Sequence, residues 1–194
     1  MPKSVCVLQG HPHSGAHHFC HALADSYAKG AEEAGASVSR LDVGAIQPVP
    51  LTDPADFAHP ATGDIADAQQ TIRACDHLVV VFPLWLGAMP SLTRAFFEQL
   101  GRGDFLIERG AADEWPHGAL KGRSARVITT MGMPAFAYRM FFGAHGVRSL
   151  ESSVLHLAGI NPIRETLIGR VETMSDRQRD DWLDRVETMG RRQM

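Results

Sequence analysis

Residues 78–90 have the sequence LVVVFPLWLGAMP, and this stretch does most to decide the fold. Five consecutive apolar residues at 78–82 predict a strand buried on both faces, as strands of parallel sheets are. Pro83 ends the strand because proline has no N–H to donate to a neighbouring strand, and Pro90 suits the first turn of a helix. Trp85 follows the strand at the carboxyl edge of the sheet, where ligands of α/β proteins bind. There it either offers a flat face to a planar ligand or covers the core.

Short apolar runs and helical patterns alternate five times along the chain. The predicted strands span residues 4–9, 38–43, 78–82, 125–130 and 163–168. The predicted helices span residues 19–31, 64–74, 91–100, 138–142, 150–158 and 175–189, and Gly- and charge-rich residues fill 101–122. This alternation predicts an α/β fold, a flavodoxin-like three-layer sandwich with a five-stranded parallel sheet and helices on both faces. Five strands suit the order 2-1-3-4-5, whose switch point lies between the first and third strands.

The composition argues against several classes of protein. The 194 residues suit a single domain, residues 1–194, and the net charge is −3 with acidic and basic residues mixed along the chain. No basic block indicates a nucleic-acid partner, and no apolar run has the length of a membrane span. The first strand begins too early to leave room for a signal peptide. The three cysteines are widely spaced and form no Cys-x-x-Cys, which is typical of reduced thiols, so we expect a cytoplasmic protein.

The first predicted loop follows strand one and opens a helix, with the sequence GHPHSGAHHFC at residues 10–20. Backbone N–H groups and the positive end of a helix dipole bind phosphate at such a position. His11, Ser14, His17 and His18 would add hydrogen-bond donors. The spacing is neither that of a Gly-x-Gly-x-x-Gly dinucleotide motif nor that of a P-loop.

This loop has two other interpretations at the level of sequence. His17 and His21 are four residues apart with Cys20 between them, an arrangement that can bind zinc. The sequence offers no second cluster with ligand spacing to complete such a site, so no metal is expected. The polar residues could instead form only a solvated start to the helix.

A third loop follows strand four and has the sequence TTMGMP at residues 129–134. Its small and hydroxyl-bearing residues let the backbone approach a ligand closely and supply short donors. Tyr138 and His145 come next, and each could place a proton donor beside a ligand. Because strands one, three and four are expected to be neighbours, the three loops would form one site.

Together these motifs resemble those of the flavodoxin-like NAD(P)H:quinone oxidoreductases. That family has a His-Pro or His-Ser opening and then Ser-Phe-Asn, where this chain has His11-Pro12 and then HFC at residues 18–20. It has Pro-Leu-x-Trp-Phe-Gly-x-Pro, where residues 83–90 are PLWLGAMP. It has Thr-Thr-Gly-Gly with a downstream Tyr and His, where this chain has TTMG at residues 129–132, then Tyr138 and His145. Residues 136–146 are similar to the same segment of bacterial NADPH-quinone reductases.

The resemblance implies a bound flavin that takes hydride from NADPH or NADH and passes it to a quinone-type acceptor by a ping-pong mechanism. It assigns Tyr138 and His145, as catalytic residues, to stabilising the charge of the reduced flavin. It implies a homodimer with the site at the interface, and FAD before FMN because residues 53–60 are similar to those of an FAD-binding relative. The residues expected to bind the flavin are His11, His17, His18, Phe19, Cys20, Pro83, Leu84, Trp85, Leu86, Thr129, Thr130, Met131, Gly132 and Met133.

Departures from the family pattern lie at the expected flavin contacts, and Leu86, Gly87 and Ala88 are among them, along the isoalloxazine ring. His18 and Cys20 replace a serine and an asparagine beside the phosphates, and Met131 and Met133 lie where the family prefers glycines. The methionines keep their backbone N–H groups and narrow the pocket. The substitutions at His18 and Cys20 predict altered phosphate affinity or donor geometry.

A non-enzymatic protein of the same fold is the alternative, as an ancillary flavin- or nucleotide-binding regulatory subunit of an ion-efflux system. A one-electron carrier is disfavoured because such carriers have a strongly acidic face and a hydroxyl-rich phosphate loop, and this sequence has neither. Reduction of azo or nitro groups by the same flavin is a variation within the enzyme class.

Overall fold

The computed structural model describes residues 3–15, 17–108 and 117–193. In chain order the strands are β1 (Ser4–Gln9), β2 (Ser37–Asp42), β3 (His77–Pro83), β4 (Ile107–Glu108), β5 (His117–Gly118), β6 (Ser124–Thr130) and β7 (Ile163–Ile168). The α-helices are α1 (Phe19–Glu33), α2 (Val43–Ile46), α3 (Gly63–Ala74), α4 (Ser91–Leu100), α5 (Ala135–Phe141), α6 (His145–Leu150) and α7 (Asp176–Arg192). Shorter 3₁₀ turns cover Pro54–Ala58 and Val171–Thr173, and a π-helical segment covers Glu151–His156.

Five parallel strands form the central sheet in the order β2-β1-β3-β6-β7. Strands β4 and β5 pair only with each other, antiparallel. Strands β4 and β5 lie outside the central sheet. When its five strands are numbered by their sequence order, their spatial order across the sheet is therefore 2-1-3-4-5. The predicted sandwich and its strand order are confirmed.

The sheet separates two apolar layers. On one face, α1 and α7 cover the inward side chains of β1 and β3, with Leu23, Tyr27 and Val186 fully buried. On the other face, α3, α4 and α6 cover the alternate side chains. The inner strands are buried on both sides, which explains why residues 78–82 are uniformly apolar.

Several element boundaries differ from the prediction for local reasons. Strand β2 ends one residue early because the Asp42 side chain accepts hydrogen bonds from the N–H groups of Gly44 and Ala45 and caps α2. Strand β3 includes Pro83, whose missing N–H is harmless at the last position of the strand. Helix α6 starts at His145, earlier than predicted, because Gly143 and Ala144 make a tight turn with left-handed backbone.

Helices α1 and α7 cross with their backbones in contact. A Cβ atom on Gly30 would lie 2.0 Å from the carbonyl oxygen of Glu187, and one on Gly190 would lie 2.1 Å from that of Tyr27. Only glycine fits at both positions. The ion pair of Lys29 with Glu187, 2.8 Å long, flanks the crossing.

Two predicted stretches are described in part. Ala16 of the first loop and residues 109–116 of the Gly- and charge-rich stretch lie outside the described residues. Within the ranges that are described, none of the helices combines the length and the apolar character needed to cross a bilayer.

Candidate functional site

Three loops leave the sheet side by side at its carboxyl edge. The N–H of Gly10 donates to the carbonyl of Val81 over 2.7 Å, which joins the first loop to the end of β3. The N–H of Leu84 donates to the carbonyl of Thr130, also over 2.7 Å, which joins the second loop to the end of β6. The structure therefore brings together the three loops that the sequence singled out.

The first loop is held from beneath by two polar side chains that sequence reasoning missed. The hydroxyl of Thr93, in the first turn of α4, donates to the carbonyl of Gly10 over 2.5 Å. The Gln9 side chain accepts from the N–H of His11 and donates to its carbonyl. The sequence offered one signal of this contact, since the polar residue Gln9 ends the apolar run of strand β1. After this loop α1 begins, and the first N–H groups of the helix, on Phe19 and Cys20, have no intrahelical acceptor.

Four histidines pack together where the first loop meets α1. The rings of His11 and His18 stack with centroids 3.8 Å apart, and His21 lies 5.5 Å from each of them. The Nδ1 of His13 and the Nε2 of His18 are 3.1 Å apart. His13 and His21 were not among the predicted site residues, although His21 had been considered as a zinc ligand.

The electrostatics of this cluster favour the neutral imidazole at His11 and His21. Burial, followed by repulsion from His18 and His21, lowers the pKa of His11 from 6.5 to about 4. Burial likewise lowers the pKa of His21, although Asp42 opposes the shift. At neutral pH these two rings therefore offer hydrogen bonds and flat surfaces without positive charge.

Cys20 faces the third loop. Its Sγ is 3.2 Å from the Oγ1 of Thr130, and the side chain is buried. Burial raises the pKa of the Cys20 thiol to about 11, despite the hydrogen bond with Thr130. The thiol is thus neutral and unreactive at neutral pH. Within the part of the chain that the structure describes, no three His, Cys, Asp or Glu side chains are arranged to hold a metal ion.

The second loop is a tight hairpin at residues 85–88. The N–H of Trp85 donates to the carbonyl of Ala88 over 2.8 Å, and the N–H of Ala88 donates back over 3.0 Å. Leu86 and Gly87 lie between them with φ of 49° and 82°, which makes a turn with two left-handed residues. Trp85 is 49% exposed and its ring meets that of His11 edge-on at 5.9 Å, so it does not belong to the core.

Leu86 carries local strain at this hairpin. A left-handed backbone costs a residue other than glycine about 1–2 kcal/mol, and Leu86 recovers none of it by burial because its side chain is fully exposed. Such strain is concentrated at functional sites. The arrangement presents the Leu86 side chain to solvent beside Trp85.

We expect Leu86→Asn to raise the free energy of unfolding by about 1 kcal/mol, because asparagine tolerates the left-handed region. Urea denaturation measures the free energy of unfolding. Measurements at several protein concentrations separate relief of strain from loss of subunit contacts, because only the second depends on concentration. Leu157→Asn is the matched control, since Leu157 is half exposed with ordinary helical backbone. Equal changes in both variants would rule out strain at Leu86.

Tyr138 holds the hairpin in place. Its hydroxyl donates to the carbonyl of Gly87 over 3.0 Å and accepts from the N–H of Val147 over 3.3 Å. The side chain is buried, and desolvation raises the pKa of the phenol. A Cβ on Gly146 would lie 2.2 Å from the same Gly87 carbonyl, so the hairpin backbone rests directly on α6.

His145 is exposed at the first position of α6. Its ring covers Gly143, where a Cβ would lie 2.7 Å from the ring Nε2. The structure thus puts Tyr138 beneath the hairpin and His145 at the surface of the next helix.

The third loop is tied to the segment after β7. The N–H of Met131 donates to the carbonyl of Ile168 over 2.9 Å, and the carbonyls of Met131 and Met133 accept from Val171 and Arg170. Met131 is buried, and Gly132 is exposed beside the carboxylate of Glu172. The Met131 N–H is therefore committed to the protein and does not face a ligand.

Two cavities flank the first loop on the side of α1. The larger has a volume of about 430 Å³. It is lined by three of the predicted flavin-binding residues, His17, His18 and Phe19, and by Arg179 of α7. The guanidinium carbon of Arg179 lies over the Phe19 ring, 5.3 Å from the ring centroid. The smaller, about 190 Å³, lies between the ends of β1 and β2 beside His21.

An open parallel sheet of this order, with three loops meeting at its carboxyl edge, defines the doubly wound class of α/β proteins. Residues 3–189 match the family described as having a flavodoxin-like fold, and the chain belongs to that family. The match confirms the flavodoxin-like family recognised from the sequence motifs.

Solved structures similar to this chain extend over nearly its whole length. Smu.1420 from Streptococcus mutans UA159 is 25% identical, with 97% of this chain and 99% of that chain covered and a TM-score of 0.81. An NAD(P)H:quinone oxidoreductase from Methanothermobacter marburgensis is 18% identical, with 98% of each chain covered and a TM-score of 0.80. An FMN-dependent NADH-azoreductase from Bacillus anthracis str. Ames Ancestor, in complex with FMN, is 13% identical, with 98% of each covered and a TM-score of 0.76. These likenesses establish the fold.

Proposed function

We propose that this protein is a flavin-dependent NAD(P)H oxidoreductase that reduces quinones or similar acceptors. The observation that carries the proposal is the meeting of three loops at the switch point, beside the open N-terminus of α1 and the half-exposed Trp85. The relatives named as a quinone oxidoreductase and an azoreductase support the same class of chemistry.

The donors of the first loop fit a flavin phosphate. The N–H groups of Phe19 and Cys20 lie at the N-terminus of α1, where the positive end of the helix dipole favours a dianion. His11 is neutral, so it would contribute hydrogen bonds and not charge. His17 and His18 line the adjoining cavity and would complete the phosphate site.

We place FMN before FAD, which reverses the order drawn from residues 53–60. The adenosine half of FAD would rest on that segment. However, the carbonyl of Asp56 accepts from the Arg102 side chain, and the carbonyl of Phe57 accepts from the N–H of Gly103. These bonds tie the segment to the far end of α4, and the related azoreductase contains FMN.

When bound, the flavin would accept hydride from NAD(P)H and deliver it to the acceptor in a ping-pong sequence. Trp85 and Leu86 would flank the flavin ring and exclude water from it, with Pro83 and Leu84 behind them. The segment 129–133 would close the opposite edge through its hydroxyls and the remaining backbone N–H groups. His145 would stabilise negative charge on the ring, and Tyr138 would do so after its hydroxyl leaves the Gly87 carbonyl.

A second copy of the chain would complete the site. Helix α5 buries only Tyr138 and exposes four large apolar side chains, Phe136, Met140, Phe141 and, directly after it, Phe142. This apolar surface, which we call the α5 patch, is joined to the 85–88 hairpin through Tyr138. A homodimer that covers the α5 patch would place the site at the interface.

Flavin reconstitution followed by anaerobic mixing with NADPH or NADH tests the proposal. We expect a bound flavin band near ~450 nm that bleaches on mixing and returns when a quinone is added. Trp85→Ala should weaken FMN binding about tenfold through lost aromatic contact, whereas Phe57→Ala, a matched exposed aromatic away from the three loops, should not. A protein that takes up neither FMN nor FAD would contradict the proposal. Bound flavin that never bleaches would favour the regulatory subunit.

A further inference from the structure

The first loop would hold a phosphate without a lysine or an arginine of its own. Residues 10–20 contain four histidines and no other basic side chain. Arg179 of α7 lines the adjoining cavity, but its guanidinium donates to the carbonyl of Val171 over 2.7 Å and lies over the Phe19 ring. A phosphate dianion in the proposed flavin site would therefore take its compensating charge from a protonated imidazole of the first loop.

Two imidazoles of the histidine cluster are held neutral by main-chain hydrogen bonds. Nδ1 of His11 accepts from the N–H of His13, and Nδ1 of His21 accepts from the N–H of His18, each over 3.1 Å. A ring nitrogen that accepts carries no proton, so both rings have their single proton on Nε2. Charging either ring would break its main-chain bond, and burial opposes the charge as well, since it lowers the pKa of His11 and of His21.

The pair of His13 and His18 can take up a proton and keep its hydrogen bond. Nδ1 of His13 and Nε2 of His18 are 3.1 Å apart, so in the neutral pair one ring donates and the other accepts. An added proton goes to the free nitrogen of the donating ring, which still donates to its neutral partner. A second proton would leave two N–H groups facing each other. The pair therefore accepts one proton, and its His13 side chain is exposed to solvent.

The charged groups packed against the histidine cluster are the same with and without a ligand. They are Asp25 of α1, Arg40 and Asp42 of β2, and His17, Asp176, Arg179 and Asp180 around the larger cavity. Arg40 is paired with Asp25, and the Asp42 carboxylate caps α2. Because carboxylates outnumber guanidinium groups among these side chains, a dianion meets less repulsion if a proton enters with it.

We propose that the pair of His13 and His18 takes up one proton from solvent when the flavin phosphate binds, so that flavin retention depends on pH. This inference rests on the proposed flavin site and concerns its regulation. His18 immediately precedes the open N–H groups at the start of α1, and a dianion there favours the charged form of a nearby imidazole. Binding and protonation reinforce each other, so affinity for the flavin rises as the pH falls and declines as the pH rises.

Calorimetric titration of the flavin-free chain with FMN, in two buffers of different ionisation enthalpy at pH 7.5, counts the protons taken up. A phosphate monoester has a second pKa of about 6, so FMN is already a dianion and the proton must enter the protein. We expect about one proton per FMN, so that the dissociation constant rises about tenfold between pH 7 and pH 8. Riboflavin, which has the same ring without the phosphate, should bind more weakly and with no linked proton.

Variants of the histidines locate the proton. The double variant His13→Gln and His18→Gln should bind FMN without proton uptake and with an affinity that does not change between pH 7 and pH 8. His11→Gln should weaken FMN binding but keep the uptake, because that ring is neutral in both states. His59→Gln, at an exposed histidine after the 54–58 turn, is the matched control and should take up about one proton, as the wild type does.

The outcomes separate this inference from the proposed function. FMN that binds without proton uptake would overturn the inference and leave the proposed function standing. Equal uptake with FMN and riboflavin would overturn it too, because the proton would then follow the ring and not the phosphate. Uptake that persists in the double variant would place the proton on another group and contradict the role of the pair. A chain that binds no flavin at either pH would overturn the inference and the proposed function together.

Discussion

Replacement of Gly146 by alanine is expected to lower the free energy of unfolding by about 3 kcal/mol and to weaken flavin binding. The added Cβ would lie 2.2 Å from the carbonyl oxygen of Gly87 and 2.6 Å from the Cα of Ala88. Both are backbone atoms, so no side-chain rotation relieves the overlap. The hairpin would have to move away from α6, which breaks the bond from Tyr138 and displaces Trp85.

Urea denaturation measures the loss of stability, and flavin titration measures the effect on the site. Gly101→Ala is the matched control because a Cβ there meets its nearest atom at 3.4 Å, in an ordinary right-handed backbone. If the two variants are equally stable and bind flavin equally, the hairpin does not rest on α6 as described.

Replacement of Phe141 by glutamate is expected to convert the proposed dimer into a monomer. Phe141 is 76% exposed in the single chain and lies at the end of α5, beside Met140 and Phe142. Loss of a buried aromatic at a subunit interface costs about 2 kcal/mol, and a symmetric dimer contains the change twice. The dissociation constant should therefore rise roughly 1000-fold, for about 4 kcal/mol.

Sedimentation velocity over a range of concentrations measures this change, with quinone reduction followed in the same samples. Val49→Glu introduces the same charge at another exposed apolar residue and should leave the dimer intact. A wild-type chain that stays monomeric at micromolar concentration would contradict the proposed interface and the shared site together.

The fold was readable from sequence because its strands are unambiguous. Residues 78–82 are apolar throughout since β3 is covered on both faces, and no competing helical period fits so short a run. The predicted ends of helices and strands were wrong where a single side chain determines where an element ends. Asp42 caps α2 by accepting from backbone N–H groups, a preference that strand propensity does not register.

The site was readable only as far as its three loops. Strand order places them together, but it does not show that the Tyr138 hydroxyl is bonded to Gly87 or that the Cys20 thiol meets Thr130. Those contacts depend on side-chain direction across elements far apart in sequence. Likewise, a left-handed Leu86 contradicts residue preference, and only the packing of the hairpin on α6 accounts for it.

The crossing at Gly30 and Gly190 has a consequence for biosynthesis. Until Gly190 has left the ribosome, the apolar side chains Leu23, Val79 and Ile168 lack the cover that α7 provides. Contacts between segments so distant in sequence form slowly, and the uncovered face is prone to aggregation meanwhile. We therefore expect this face of the sheet to close only once α7 has been synthesised, with nascent chains that stop before α7 retained by chaperones.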